Sequence, residues 1–208
     1  MPERPTRIID LSPDDDALIQ ALLPWSVQAA CINAPHWMPT LAHARIEIQR
    51  ASGEQGVCRV LMDARQPCAW AAAAPCADSA WELHPLLVDP PRHGHGYGRQ
   101  LAADIEAHAR AAGALTMDVS TSDGTGATTL HGADLFADPL GALARIDVID
   151  PVVGHAYRFW QSIGYALVGV LPDAEGVGVP SIRLAKSLRQ APTGHATGAA
   201  SQRERAAG

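Results

Sequence analysis

The 208-residue chain has little that would send it to a membrane or out of a cell. Its start, MPERPTRIIDLSPDDD, lacks the basic head and apolar stretch of a secretory leader, and no later apolar run is long enough to span a bilayer. A cytoplasmic location is the expectation. Cysteine is sparse: Cys31, Cys58, Cys68 and Cys76 form no CxxC pair and stand in apolar company, so they read as reduced core residues rather than a disulfide framework or a zinc site. Basic charge is also short. With 16 Lys and Arg against 22 Asp and Glu, the formal net charge of −6 argues against nucleic acid or an anionic membrane as partner and suits a cationic small molecule. Two phosphate signatures are missing as well: there is no Gly-Lys-Ser/Thr at a helix start, and no GxGxxG with an acid about twenty residues on.

What is present fits one well-buried α/β domain, since 47% of the residues are hydrophobic and the length is short for two domains. Residues 7–11 (RIIDL) read as a strand. Ser12, Pro13 and Asp14 to Asp16 then mark a helix start, with acids at the positive end of the helix dipole. That helix is expected to run to about Leu23, where Pro24 breaks it, and LAHARIEIQRA resumes with helical spacing. Three runs, 56–63, 68–75 and 80–89, suit an antiparallel meander. The alanines at 71–74 favour a helix by propensity, but eight residues between proline breaks favour a strand. A helix from about Tyr97 to Ala112 ends at Gly113, and LTMDVST (115–121) follows as a strand. Residues 122–150, rich in glycine and aspartate around a short helical PLGALARI, are too long for a plain connector and are expected to line a site. His155 to Ile163 reads as a helix, and 166–171 and 181–185 as a closing hairpin. From Arg189 onward the chain is small and polar, which predicts a disordered tail after a domain spanning 1–188.

The segment from Val88 to Gly98 sets three glycines, Gly94, Gly96 and Gly98, at alternate positions between a strand and a helix N-terminus. Glycine lets backbone amides approach an anion closely, and the unpaired N–H groups of the helix start replace the water that a pyrophosphate loses. Arg92 and Arg99 add charge. By itself the pattern is equally a helix-start turn. A metal site of His84, His93 and His95 is a third alternative, disfavoured because the last two lie in a loop suited to phosphate.

The element order, this loop and the late AYRFWQSIGY helix resemble the GNAT acetyltransferases, whose loop pattern is Gln/Arg-x-x-Gly-x-Gly/Ala; His93 stands at the first position, and Gly96 and Gly98 match. WELHPLLV (81–88), TSDGTGATTLHGADLF (121–136), GHAYRFWQSIGY (154–165), VGVLPDAEG and PSIRLAK are similar to aminoglycoside 6′-N-acetyltransferases. The resemblance covers about residues 7–188, most strongly from Trp81 onward. It implies the GNAT fold, a mixed central α/β sheet flanked by helices, with acetyl-coenzyme A as donor. It also implies cofactor contacts from Leu86, Leu87 and Val88, from His93, Gly94, His95, Gly96, Tyr97, Gly98 and Arg99, and from Trp160. Related enzymes often pair, so a homodimer is among the assemblies it implies.

Acetyl transfer to an amine needs a neutral nucleophile, a polarised thioester carbonyl and a proton for the departing thiolate. Strand alternation puts Glu82, His84 and Leu86 on one face just before the cofactor loop. By resemblance Glu82 orients and deprotonates the amine through water, with His84 as assisting or alternative base; a solvated Glu and a hydrogen-bonded strand His are the plainer reading of the pair. The family's proton-donating Tyr on the late helix is Trp160 here, so Tyr157, one turn earlier, or water is the candidate donor.

Aminoglycoside-acetylating relatives look acidic in the N-terminal helical hairpin and in a TDDxD segment. Here residues 24–46 contain no Asp or Glu, and the later segment reads Thr121-Ser122-Asp123-Gly124. Fewer carboxylates suit a less cationic acceptor, such as the 2′-amine of kasugamycin rather than the 6′-amine of a kanamycin-type drug. Trp25, His36, Trp37, Glu82, Asp123 and Asp147 are the candidate acceptor contacts. Rival readings are a GNAT enzyme acting on a polyamine or protein amine, and a non-catalytic acetyl-coenzyme A-binding regulatory module.

Overall fold

The computed structural model of the chain describes residues 6–53, 55–152 and 154–189. All but the first residue of the expected tail lie outside the described residues. Among the described residues seven strands form one mixed sheet: β1 (Thr6–Asp10), β2 (Val57–Asp63), β3 (Gln66–Ala77), β4 (Ala80–Val88), β5 (Thr116–Ser122), β6 (Ala166–Leu171) and β7 (Ser181–Ser187). Their order is β1-β2-β3-β4-β5-β7-β6, with an antiparallel meander from β1 to β4, a parallel β4–β5 step and antiparallel β5–β7 and β7–β6 pairs.

Five helices cover the sheet: α1 (Asp16–Ala30), α2 (Leu41–Gly53), α3 (Tyr97–Ala111), α4 (Pro139–Ala144) and α5 (Ala156–Ser162). Asp15 caps α1 by accepting the Leu18 amide at 3.1 Å. The expectation that this helix stops near Leu23 is corrected, because it runs through Pro24 to Ala30. Pro24 lies on the exposed side, as does Gln20, whose carbonyl forfeits a partner, while Ile19, Leu22, Leu23, Ser26 and Ala29 are buried along the other face. Burial on both sides of the proline outweighs one lost backbone bond. A buried chain of polar contacts fixes this face: Trp70 donates its indole N–H to Ser26 Oγ at 2.9 Å, and Ser26 donates to the Leu22 carbonyl at 2.8 Å.

Two cores lie on opposite faces of the sheet. One packs α1 and α2 against Val60, Met62 and Trp70; the other packs α3 and α5 against Leu61, Leu83, Met117 and Leu184. The alanine run forms β3, as expected, and alternates between them, with Ala71 and Ala73 on the α3 side and Trp70 and Ala72 on the other. Complete burial of Trp70 alone is worth roughly 4–6 kcal/mol. At the far side of the sheet, buried Glu106 on α3 accepts from Lys186 at 2.7 Å and from Tyr165 at 3.1 Å, tying α3 to β7 and to the turn after α5.

The cysteine reading needs amendment. All four are free, but only Cys58 and Cys68 are buried, and burial raises their thiol pKa values to about 12 and about 11. Cys31 ends α1 and Cys76 ends β3, both at exposed positions. Among the described residues no helix is long and apolar enough to cross a membrane.

Candidate active site

β4 and β5 pair only over Ala80 to Glu82, opposite Thr116 to Asp118, and then part. The cause is written in β4. Opposite the single residue Ala72 of β3 stand two residues of β4, His84 and Pro85, so the strand bulges there; Pro85 brings no N–H for a ladder. The bulge also changes the phase of the strand. Trp81 and Leu83 face the α3 core, and beyond the bulge Leu86 and Val88 join that face while Leu87 turns to the α1 side. The expected shared face of Glu82, His84 and Leu86 is thus corrected: strict alternation fails at an inserted residue.

The wedge between the parted strands holds two connected cavities. One, of about 610 Å³, runs along Leu86, Leu87 and Val88, past the glycine loop and the start of α3, to α5. The other, of about 480 Å³, lies between the β4 segment Leu83 to Leu87 and Ser120 to Ser122 of β5. Ala29, Asn33, Ala156 and Trp160 line both.

The first cavity has the features of an anion cradle. Gly94 and Gly96 adopt φ of 79° and 80°, a left-handed backbone that suits glycine, and Gly96 caps α3. A Cβ at Gly98 would sit 3.3–3.4 Å from Phe159, Leu86 and Val88, so the helix start is packed as close to the site as glycine allows. Arg92, Arg99 and Arg158 line the cavity and no carboxylate does, among the described residues. Arg158 was not singled out from the sequence. Asp63, at the end of β2, accepts from Arg92 at 2.9 Å and from the Tyr97 hydroxyl at 2.9 Å. One carboxylate therefore clamps both flanks of the Gly94 to Gly96 turn, and its bond to Tyr97 raises that phenol's pKa. His93 lines the cavity with Nε2 3.0 Å from the Val88 carbonyl, whereas His95 turns Nδ1 to the Arg92 and His93 carbonyls and does not line it. Among the described residues no group of three or more His, Cys, Asp or Glu side chains comes together as a metal ion would need.

The second cavity brings together His36, Trp37 and His84, the ring of Trp37 lying 4.9 Å from that of His84. Glu82 does not line it; that residue stands in register with Asp118, in the field of the Arg183 guanidinium. Other expected contacts fall elsewhere. Trp25 is buried in the α1 core, because the helix continues through its position and turns its ring toward the sheet. Asp123 is fully buried and accepts from the Ala127 amide at 2.7 Å and from Thr128 Oγ1 at 2.7 Å, so its oxygens serve its own loop. Asp147 is exposed and pairs with Arg158 at 2.6 Å, reaching the first cavity only through that partner. Tyr157 is 1% exposed and lines neither cavity, and the Arg158 guanidinium lies over its ring, 5.2 Å from the centroid. The site does contain a carboxylate that sequence reasoning missed: Glu175, in the β6–β7 loop, whose turn-rich surroundings gave no hint of it.

His155 holds α5 to this site. Its Nε2–H donates to the Ser122 carbonyl at 2.8 Å and its Nδ1 accepts the Tyr157 amide at 3.2 Å, a neutral tautomer that caps the helix. Burial lowers its pKa below the ordinary 6.5, outweighing the Ser122 carbonyl and the Asp123 carboxylate 3.9 Å away. The sign follows from the unfolded chain binding the proton more readily. The stability contributed by neutral His155 is complete above about pH 6.5 and is lost as pH falls from there toward the depressed folded value. Melting temperature should drop between about pH 7 and pH 5, and His155→Asn, which keeps a capping oxygen without the titration, should flatten that drop.

The profile of the acetyltransferase (GNAT) family matches residues 17–133. Among solved structures, an aminoglycoside 6′-N-acetyltransferase complexed with coenzyme A superposes with a TM-score of 0.77 at 25% identity, covering 89% of this chain and 99% of that one. The aminoglycoside 6′-N-acetyltransferase from Enterococcus faecium gives 0.74 at 24% identity over 89% and 99%. The ribosomal-protein-S18-alanine N-acetyltransferase from Escherichia coli gives 0.59 at 16% over 91% and 97%. A search of curated proteins returns no match. With the family profile covering more than half its length and the parted strands and glycine cradle in place, the chain belongs to the GNAT acetyltransferases, whose acetyl donor is acetyl-coenzyme A.

Proposed function

We propose that the protein N-acetylates an aminoglycoside of low positive charge, the 2′-amine of kasugamycin in preference to the 6′-amine of a kanamycin-type drug, and so confers resistance to it. One observation carries this reading: the cavity beside the donor cradle is lined by Trp37, Trp160, His36 and His84 among small and aliphatic residues, with a single carboxylate among the described residues. A polycationic acceptor would call for several. Likeness to an aminoglycoside 6′-N-acetyltransferase at 25% identity supports the substrate class.

The donor cradle fits the cofactor's charge. The amides of the Gly94 to Gly98 turn and the guanidiniums of Arg92, Arg99 and Arg158 would hold its phosphates, and the edge of β4 released by β5 would face its pantetheine arm. Acetyl-coenzyme A supplies an activated thioester there. His84 takes the proton of the acceptor amine, its ring steadied by Trp37, and Glu82 contributes negative potential from further back on the strand. With Tyr157 buried away from both cavities, water is left to supply the closing proton.

Acetyl-coenzyme A consumption with kasugamycin and kanamycin side by side, the product located by mass spectrometry, tests the reading. Turnover of kasugamycin is expected; turnover of kanamycin alone would return the acceptor to the 6′ class, and turnover of neither would promote a polyamine, a protein amine or a regulatory role. His84→Ala should lower kcat about a hundredfold, a typical general-base contribution; unchanged kcat would pass the base role to Glu82 through water. Asp63→Asn, which keeps the shape but not the charge of the clamp, should raise the KM for acetyl-coenzyme A roughly fivefold, about 1 kcal/mol, with little change in kcat.

A further inference from the structure

Resting on the acetyltransferase reading above, we propose that Glu175 selects the acceptor, receiving a second cationic nitrogen of that molecule at a point remote from the amine that reacts. Among the described residues Glu175 is the one carboxylate that lines the acceptor cavity. It is carried on the loop between β6 and β7, against the end of β5, whereas His84 belongs to the β4 wall. The two therefore address the cavity from opposite sides of the wedge opened by the parted strands. A molecule that spans it meets a base at one side and a negative charge at the other.

The carboxylate is held ready. Ser122 donates its hydroxyl proton to Glu175 Oε2 at 2.7 Å, and the same hydroxyl oxygen accepts the Gly124 amide at 3.0 Å, so its one proton is committed to the glutamate. The loop beneath is tied by Glu175 N–H to the Val179 carbonyl at 3.2 Å, by Gly178 N–H to Asp173 Oδ1 at 2.7 Å, and by Gly132 N–H to the Gly178 carbonyl at 2.9 Å. Among the described residues no Lys or Arg pairs with Glu175, which leaves its charge to a ligand. One carboxylate at an exposed rim recognises one cation. The acceptor class is therefore an amine that carries at least one further ammonium or amidinium group, as opposed to a monoamine.

The test compares wild type with Glu175→Gln. For whichever of kasugamycin and kanamycin the wild type acetylates, the variant should raise the acceptor KM roughly threefold to fivefold, the scale of an exposed ion pair. The KM for acetyl-coenzyme A should stay put, and added potassium chloride should raise the acceptor KM of wild type more steeply than that of the variant. An acceptor KM equal in the two proteins, with equal salt dependence, overturns the assignment. Should wild type acetylate neither drug, the aminoglycoside reading fails separately, and calorimetric titration of 1,4-diaminobutane and 1-aminobutane into the coenzyme A-loaded protein decides the subsite. Preference for the diamine in wild type but not in Glu175→Gln upholds it; equal binding of the two amines by wild type overturns it.

Discussion

Everything in the site depends on two neighbouring strands ceasing to bond to each other. β4 and β5 run parallel through Glu82 and Asp118 and then separate, because His84 and Pro85 share the place that one residue would fill opposite Ala72. A sheet normally resists such a gap, since each unpaired backbone group loses a partner. The proline has one group fewer to lose, and the gap lies at a cavity rather than in the core. From this single irregularity follow the wedge, the free edge of β4 and the cavities that α5 helps to line.

Around that wedge the charges are segregated. Guanidinium groups collect beside the glycine turn, each oriented by a neighbour: Arg92 by Asp63 and Asp89, Arg158 by Asp147, and Arg99 by the carbonyl and hydroxyl of Ser162. The cavity between β4 and β5 has one carboxylate among the described residues, beside indole and imidazole rings. Trp160 stands at the junction, packed edge-on against Phe159 and Tyr165 with ring centroids 5.0 Å apart in each case. It closes the partition by bulk, where the resemblance led one to expect a phenol.

Local signals in the sequence were faithful where they reported local physics. The alternating glycines, the strand meander and the capping aspartate at the start of α1 were legible because each follows from backbone geometry within a few residues. Pro24 misled because the burial that carries α1 past it comes from Trp70 and Met62, far away in sequence. Asp123 and Trp25 misled for the same reason: residue type suggested a ligand contact, and tertiary packing turned the one to its own loop and the other to the core. Glu175 was invisible because its importance comes only from Ser122, 53 residues earlier, meeting it across the sheet. Alternation along β4 failed at the bulge, the kind of defect a period-two pattern cannot announce.

The strand with the plainest composition is also the least free to change. Residues 68–73 of β3 are covered on both faces, and their side chains, Trp70 apart, are hardly larger than a methyl group. Gly56 runs so near that an added Cβ would meet the Ala73 carbonyl at 2.1 Å. Glu175 and the glycine turn sit on loops, where a changed side chain leaves the layers of the fold in place. A single extra methylene in β3 would instead push two helical layers apart. Mutational tolerance in this protein is therefore inverted with respect to apparent information content: the run of alanines is the scaffold's rigid spine, and the chemically rich loops are its variable dress.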